Sequence, residues 1–199
     1  MTFNLFGLKI EISFLFTGLI CLLLLYDKTG LMSVGLFSAY IHEIGHFIAM
    51  AISHTRPEKL KFCAYGIIIN KNVNRCTNKE RLLIYSGGCI LNIIIGMLCY
   101  IIFCRTDNFA LLYLSASNFI TALFSALPIH GLDGYDILNL ILSLKMKIIT
   151  AEKISKTVSC VFCVLPIIMC VCLTTLGAFS LNLMITCLYL VILLAISLF

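Results

Sequence analysis

Charged residues are scarce in this chain. Only 12% of its 199 residues are charged, whereas a soluble domain carries about 25%. With 61% hydrophobic residues and a mean hydropathy of +1.09, the composition excludes an ordinary soluble fold. Apolar runs of about 20 residues recur instead, and each is long enough to span a bilayer core of about 30 Å. The sequence therefore predicts an all-α, polytopic integral membrane protein.

The first apolar run lacks the features of a cleaved signal peptide. It has no basic n-region and no small-residue cleavage site, and more spans follow it, so we expect a retained helix. Eleven cysteines, an odd number, cannot all pair with one another, and most are expected to be small buried hydrophobes. The chain is expected to be a single membrane domain, 1–199, with six spans at about residues 13–26, 31–53, 81–103, 109–144, 157–176 and 181–198.

Two segments depart from a simple helical span. Leu60–Asn70, between the second and third spans, is rich in β-branched residues around Gly66, which predicts a short, membrane-associated β-hairpin or a membrane-dipping loop. The fourth span is interrupted at Pro128–Gly134, which holds a proline and two glycines. A broken helix is tolerated at membrane depth only where it lines protein or a water-filled cavity.

Basic residues lie mainly in two loops, at residues 56–81 and 145–156. With the N-terminus in the cytoplasm, twelve of the fourteen Lys and Arg residues fall inside, and only Lys28 and Arg105 fall outside. Cytoplasmic loops carry such an excess of positive charge. We therefore expect both termini in the cytoplasm. Because each cluster is a loop between spans, the charge does not indicate a nucleic-acid surface, and residues 145–156 are expected to be a polar loop.

The second span contains the pattern H-E-x-x-H, formed by His42, Glu43 and His46. Two histidines four residues apart project from one face of a helix and can hold one zinc ion. Glu43 lies beside them, where it can take a proton from a water molecule at the metal. Ionisable residues inside a membrane span indicate function, although a polar network joining helices is the alternative.

A catalytic zinc needs a third protein ligand. Asp133, in the interrupted fourth span, is the best candidate because Gly131 and Gly134 permit a bent backbone around it. Asp136 and His130 compete for the role. Asp136 is better explained as a residue that supports the site, caps a helix or belongs to a loop. His130 either assists at the site or is a satisfied histidine near the interface.

These motifs resemble the site-2 protease family of intramembrane zinc metalloproteases. H-E-I-G-H lies on an early span, and Asn118 precedes Pro128 by ten residues, with Leu132-Asp133-Gly134 following. The resemblance covers about residues 8–145, and it leaves out the two C-terminal spans at 157–198. It implies that His42, His46 and Asp133 bind one Zn²⁺ and that Glu43 is the general base.

The resemblance also suggests residues that contact the substrate. Asn118, and Asn92 in Ser86-Gly87-Gly88-x-x-x-Asn92, are candidates for holding substrate backbone or the developing oxyanion. Gly66 resembles the glycine of the family's membrane-dipping segment. The chain departs from the family pattern at Ser125 and Tyr135, where a second Asn and a second Gly are usual.

The function implied is hydrolysis of a peptide bond in a membrane-tethered protein substrate, within or near the bilayer. The six-span layout is similar to the bacterial sporulation branch, which releases a sigma factor from a membrane-associated precursor. For a protease of this kind we expect a cell membrane location, access to the zinc from the cytoplasm and membrane regulatory partners. The alternatives are a metal transporter that uses the same ligands and a catalytically silent membrane scaffold.

Overall fold

Five helices and a small sheet make up the described part of the chain. This computed structural model describes residues 2–5, 8–12, 27–55, 59–63, 66–70 and 76–175, with single positions at 18, 21, 24, 25, 189 and 191. The strands are β1 Thr2–Leu5, β2 Leu8–Ile12, β3 Lys59–Cys63 and β4 Gly66–Asn70. The helices are α1 Leu31–Ile52, α2 Asn78–Thr106, α3 Phe109–Ser125, α4 Asp133–Ser143 and α5 Ile148–Thr175. The first and sixth predicted spans, 13–26 and 181–198, lie almost entirely outside the described residues.

The chain divides into two compact units, residues 1–124 and 125–199, which are described in turn. The first unit contains the sheet, in the order β1-β2-β3-β4. β3 and β4 pair antiparallel, with Cys63 opposite Gly66, in the segment where the sequence predicts a hairpin or dipping loop. Whether this hairpin touches the membrane stays a prediction.

The all-α prediction is incomplete, because β1 and β2 form a second antiparallel hairpin. β2 then pairs parallel with β3, which sets Lys9 opposite Lys59. That parallel pairing joins segments about fifty residues apart along the chain. A pairing of such long range has no local signature in the sequence.

Helix α1 begins at a turn that its sequence specifies. Gly30 has a left-handed backbone, with φ of 74°, which glycine adopts without steric cost. The Asp27 carboxylate accepts hydrogen bonds from the Ser33 hydroxyl, at 2.7 Å, and the Ser33 N–H, at 2.8 Å. These bonds to the charged form lower the pKa of Asp27 to about 2. The helix then runs to Ile52, within one residue of the predicted span.

Helix α2 starts with a capping box. The Thr77 hydroxyl accepts from the Glu80 N–H, and the Glu80 carboxylate accepts from the Thr77 N–H at 2.7 Å. This reciprocal pair satisfies two backbone donors that the first turn would otherwise leave open. α2 extends to Thr106 and is therefore longer than the predicted 81–103.

Helices α1 and α2 are both long and apolar enough to cross a membrane. Their outer faces carry large apolar side chains, which monomeric soluble proteins rarely expose as contiguous patches. On α2 these exposed residues include Ile90, Ile93, Ile94, Met97, Leu98 and Ile101. Their exposure agrees with lipid as the surrounding solvent.

The two helices approach closely through small residues. A Cβ added to Gly87 would lie 2.7 Å from both the Ala49 Cβ and the Gly45 carbonyl oxygen, so the backbones are nearly in contact. Small residues permit such close packing of membrane helices. Beyond this contact, Ala49, Met50 and Ile84 form a buried core. Helix α3 also contacts α2, where the Ser115 hydroxyl donates to the Gly96 carbonyl at 2.8 Å.

The second unit begins at the break in the predicted fourth span. α3 ends at Ser125 and α4 starts at Asp133, so the interruption falls where the Pro-Gly segment predicts it. Gly131 has a φ of 90°. Gly134 lies against the Ala126 carbonyl oxygen, with no room for a side chain. Ser159 of α5 fixes the loop by accepting the His130 N–H on its hydroxyl oxygen at 2.8 Å.

The polar loop predicted at 145–156 is wrong over most of its length, because α5 already begins at Ile148. Its polar residues belong to one face of an amphipathic helix. Ala151 and Ser155 are fully buried, whereas Glu152 and Lys156 form an i,i+4 ion pair at 3.0 Å near the surface. The charge pattern alone suggested a loop because the buried positions on this turn are small or polar.

Candidate metal centre

His42 and His46 lie on the buried face of α1. Their side chains are only 7% and 3% exposed, and the rings meet edge to face with centroids 4.8 Å apart. The Nε2 atom of His42 lies 3.2 Å from the Nε2 atom of His46. One turn of helix therefore aims two imidazole nitrogens at the same point, as the four-residue spacing requires.

The opposite nitrogen of His46 is held by the backbone of α2. Its Nδ1 lies 2.7 Å from the Ile84 carbonyl oxygen. A carbonyl can only accept, so Nδ1 carries the proton and Nε2 presents a lone pair. Histidines that bind metals commonly donate their second ring N–H to a backbone carbonyl in this way. The first unit therefore fixes both the orientation and the tautomer of His46.

The distance between the two Nε2 atoms fits a metal ion. In a tetrahedral zinc site with Zn–N bonds of 2.0–2.1 Å, two ligand nitrogens stand about 3.3 Å apart, close to the observed 3.2 Å. Gly88 of α2 leaves space beside both atoms. A Cβ there would lie 2.6 Å from the His42 Nε2 and 2.7 Å from the His46 Nε2. The spacing of the two histidines and the bare backbone of Gly88 beside them therefore fit a zinc ion.

Two further side chains of α2 lie at His42. The Nδ2 atom of Asn92 is 3.5 Å from the His42 Nδ1, and Asn92 is fully buried. The Cys89 sulfur lies within 4.8 Å of a His42 ring nitrogen, and its thiol faces the Ala122 carbonyl oxygen at 3.6 Å. From the sequence alone, Cys89 is expected to be a small buried hydrophobe. Its position three residues before Asn92, on the same helical face, is the signal that could have marked it.

The other predicted residues of the first unit are spread over three elements. Glu43 is half-buried on α1, directly after His42. Gly66 is the first residue of β4. Asn118 is fully buried on α3, where its amide N–H donates to the Leu114 carbonyl one turn earlier at 2.8 Å. Its Oδ1 has no hydrogen-bond partner within the described residues.

Three predicted residues belong to the second unit. Asp133 is the first residue of α4 and is half-buried, whereas Asp136 is exposed. The ring of His130 packs edge to face on Tyr135, with centroids 4.8 Å apart. The helix start at Asp133 follows from the extended Leu132, with ψ of 157°, which ends the irregular segment.

These features define a class, a helical membrane-protein fold with a histidine pair on an early helix and a later broken helix. The particular fold is that of a site-2 protease. The chain is similar to the solved structure of the Site-2 Protease from Methanocaldococcus jannaschii, with a TM-score of 0.67 and 22% sequence identity. The similarity covers 96% of this chain and 91% of that chain. No protein-family model and no curated protein sequence matches the chain. At this identity the similarity establishes the fold.

Proposed function

We propose that the protein is an intramembrane zinc metalloprotease that hydrolyses a peptide bond of a membrane-tethered protein. The observation that carries the proposal is the convergence of the His42 and His46 Nε2 atoms at 3.2 Å on an apolar, span-length helix. Burying two imidazoles in a membrane span costs free energy, so residues of this kind indicate a functional site. The site-2 protease fold agrees with this assignment.

In this proposal His42 and His46 bind one zinc ion, and Asp133 is the third ligand. Bound zinc would supply Lewis acidity, which lowers the pKa of a coordinated water and polarises the substrate carbonyl. Glu43 follows His42 on the same helix, and its carboxylate takes the proton from the attacking water. Glu43 then passes that proton to the leaving amine.

The substrate must be locally extended, because a helix keeps its carbonyl groups in hydrogen bonds. β4 is the last strand of the sheet order, so one of its edges has no partner strand within the described residues. Such an edge can hold an extended peptide by adding it as a further strand. Gly66, at the start of β4, marks one end of the edge along which the substrate strand would lie.

Asn118 can hold substrate backbone or the developing oxyanion. One N–H of its amide donates to Leu114, and the second N–H of the same group could serve as an oxyanion donor. Its Oδ1 is buried and has no partner within the described residues. That oxygen could accept an N–H from a bound peptide.

The test is co-expression with candidate membrane-tethered substrates, comparing the wild type with Glu43→Gln. Gln keeps the size of Glu but cannot take a proton, so we expect zinc to stay bound and cleavage to stop. Equal cleavage by both proteins would refute the proposal. Zinc transport that survives Glu43→Gln would favour a transporter instead.

We further propose a bacterial cell membrane location with both termini in the cytoplasm, supported by the distribution of Lys and Arg. A sigma-factor precursor of sporulation is the first substrate to include, on the strength of the sequence resemblance. Membrane regulatory partners are proposed on the same ground. Cysteine labelling at loops on either side of the membrane would test the orientation.

A further inference from the structure

The turn that joins α4 to α5 leaves three large aliphatic side chains open to their surroundings. α4 ends at Ser143 and α5 begins at Ile148. Leu144, Ile148 and Ile149 are 57%, 73% and 72% exposed. Exposed apolar side chains that are rimmed by polar residues mark sites of contact with a protein or a membrane. This short stretch of chain is therefore a candidate contact surface.

The polar residues around these side chains are mostly lysines. Three of them are exposed: Lys145, Lys147 and Lys153. None of the three forms an ion pair with a residue that the structure describes. Lys156 differs from them, because Glu152 neutralises it at 3.0 Å. Residues 144–156 hold four Lys and one Glu and no other ionisable side chain, so the stretch carries a net charge of +3.

The first turns of α5 set the apolar and basic groups on its outer side. Ala151 and Ser155 are fully buried, so this side of the helix packs inward. With 3.6 residues per turn, Ile149 and Lys153 lie one turn apart on the opposite side. Such a pairing is typical of helices at a membrane interface. The apolar side chain enters the acyl boundary there, and the lysine extends its ammonium group to the headgroups.

The charge decides which partner fits this surface. The aliphatic side chains alone would suit any apolar surface, but the exposed lysines require one that also carries negative charge. The headgroup layer of an anionic bilayer offers phosphate groups directly above acyl chains. Each lysine near such a layer raises affinity roughly fivefold. The chain also has two helices long and apolar enough to cross a membrane, so a bilayer surface is present wherever the protein is inserted.

We propose that the α4–α5 corner, defined as residues 144–156, is a binding site for anionic phospholipid at the membrane surface. Its three exposed aliphatic side chains enter the acyl boundary, and its three exposed lysines contact the phosphate groups. The corner thereby holds the start of α5 at the level of the headgroups. None of the proposed zinc ligands belongs to the corner, so the inference goes beyond the proposed protease activity.

The test uses the full chain, which contains no tryptophan, so one introduced tryptophan reports on a single place. Ile149→Trp is reconstituted in bilayers of phosphatidylcholine and phosphatidylglycerol at equal mole fractions, with bromine on the acyl chains of one lipid or of the other. Bromine quenches tryptophan fluorescence on contact. We expect brominated phosphatidylglycerol to quench Ile149→Trp about twofold more than brominated phosphatidylcholine. The excess should fall as salt is added, because salt screens exposed charges.

A pair of charge variants tests whether the lysines cause this preference. Lys147→Gln with Lys153→Gln should remove most of the excess quenching by the anionic lipid. The matched control is Lys28→Gln with Arg105→Gln, which removes the same charge from two other exposed positions. The control should keep the preference of the parent protein. An unchanged preference after loss of Lys147 and Lys153 would overturn the inference.

The reporter itself gives two further outcomes that would overturn it. Equal quenching by the two brominated lipids would show that the corner meets the membrane without selecting anionic lipid. Quenching by neither lipid would show that the corner faces water or a protein. Leu144→Trp provides the same measurement from the other end of the corner if Ile149→Trp does not fold. None of these measurements involves zinc or cleavage, so their result is independent of the proposed function.

Discussion

Adding one methyl group at Gly88 should empty the proposed zinc site while leaving the fold intact. In Gly88→Ala the new Cβ would stand 2.6 Å from the His42 Nε2 and 2.7 Å from the His46 Nε2, whereas ordinary contact begins at 3.4 Å. The nearest ring atom of His42 is its Cε1, at 2.5 Å, so the two rings must retreat by about 0.7–0.9 Å. The methyl group occupies the space beside both nitrogens that an ion at 2.0–2.1 Å would need.

Gly88→Ala should have a small effect on stability and a large effect on zinc affinity. Overpacking of this kind costs about 1–3 kcal/mol, and replacing Gly by Ala in a helix returns up to about 1 kcal/mol. The protein should therefore lose no more than about 3 kcal/mol of stability. Zinc affinity should fall more than about 100-fold, because the change displaces both ligands and exceeds the 10–100-fold cost of losing a supporting partner.

The assay is chelator competition for zinc beside thermal unfolding, with Gly96→Ala as the control. Gly96 lies on the same helix, and a Cβ there would meet the Phe119 ring at 3.3–3.4 Å, a contact that a small shift relieves. Both variants gain the same helix propensity, so only Gly88→Ala should lose zinc. Wild-type zinc affinity in Gly88→Ala would show that the ion does not lie between the two Nε2 atoms.

Two other predictions concern carboxylates. Asp133→Ala should lose zinc binding, whereas Asp136→Ala should keep it because Asp136 is exposed; equal zinc contents of the two purified variants would exclude Asp133 as the third ligand. The Asp27 pKa is lowered from 3.8 to about 2 by its bonds to Ser33, so its contribution to stability is present above pH 3.8 and is lost as the pH falls towards 2. Between pH 3.8 and 2 the thermal unfolding temperature should fall more steeply with decreasing pH for the wild type than for Asp27→Asn. Identical slopes for the two proteins would contradict this prediction.

The correct sequence predictions concern features encoded within a few neighbouring residues. The spacing of His42 and His46 requires a shared helical face, and the proline and glycines at 128–134 require an interruption between α3 and α4. The start of α1 follows from Asp27 and Gly30. Each of these depends on local backbone geometry, which a short stretch of sequence specifies by itself.

The sequence by itself therefore determined the membrane character of the chain, the histidine pair and the broken helix that carries Asp133. Only the tertiary structure decided what surrounds the pair. The Ile84 carbonyl lies 38 residues from His46, and the Asn92 amide lies 50 residues from His42. The parallel pairing of β2 with β3 likewise joins segments that are distant in the sequence. Such contacts depend on how distant segments pack, and the identity of one residue does not reveal which distant residue it will contact.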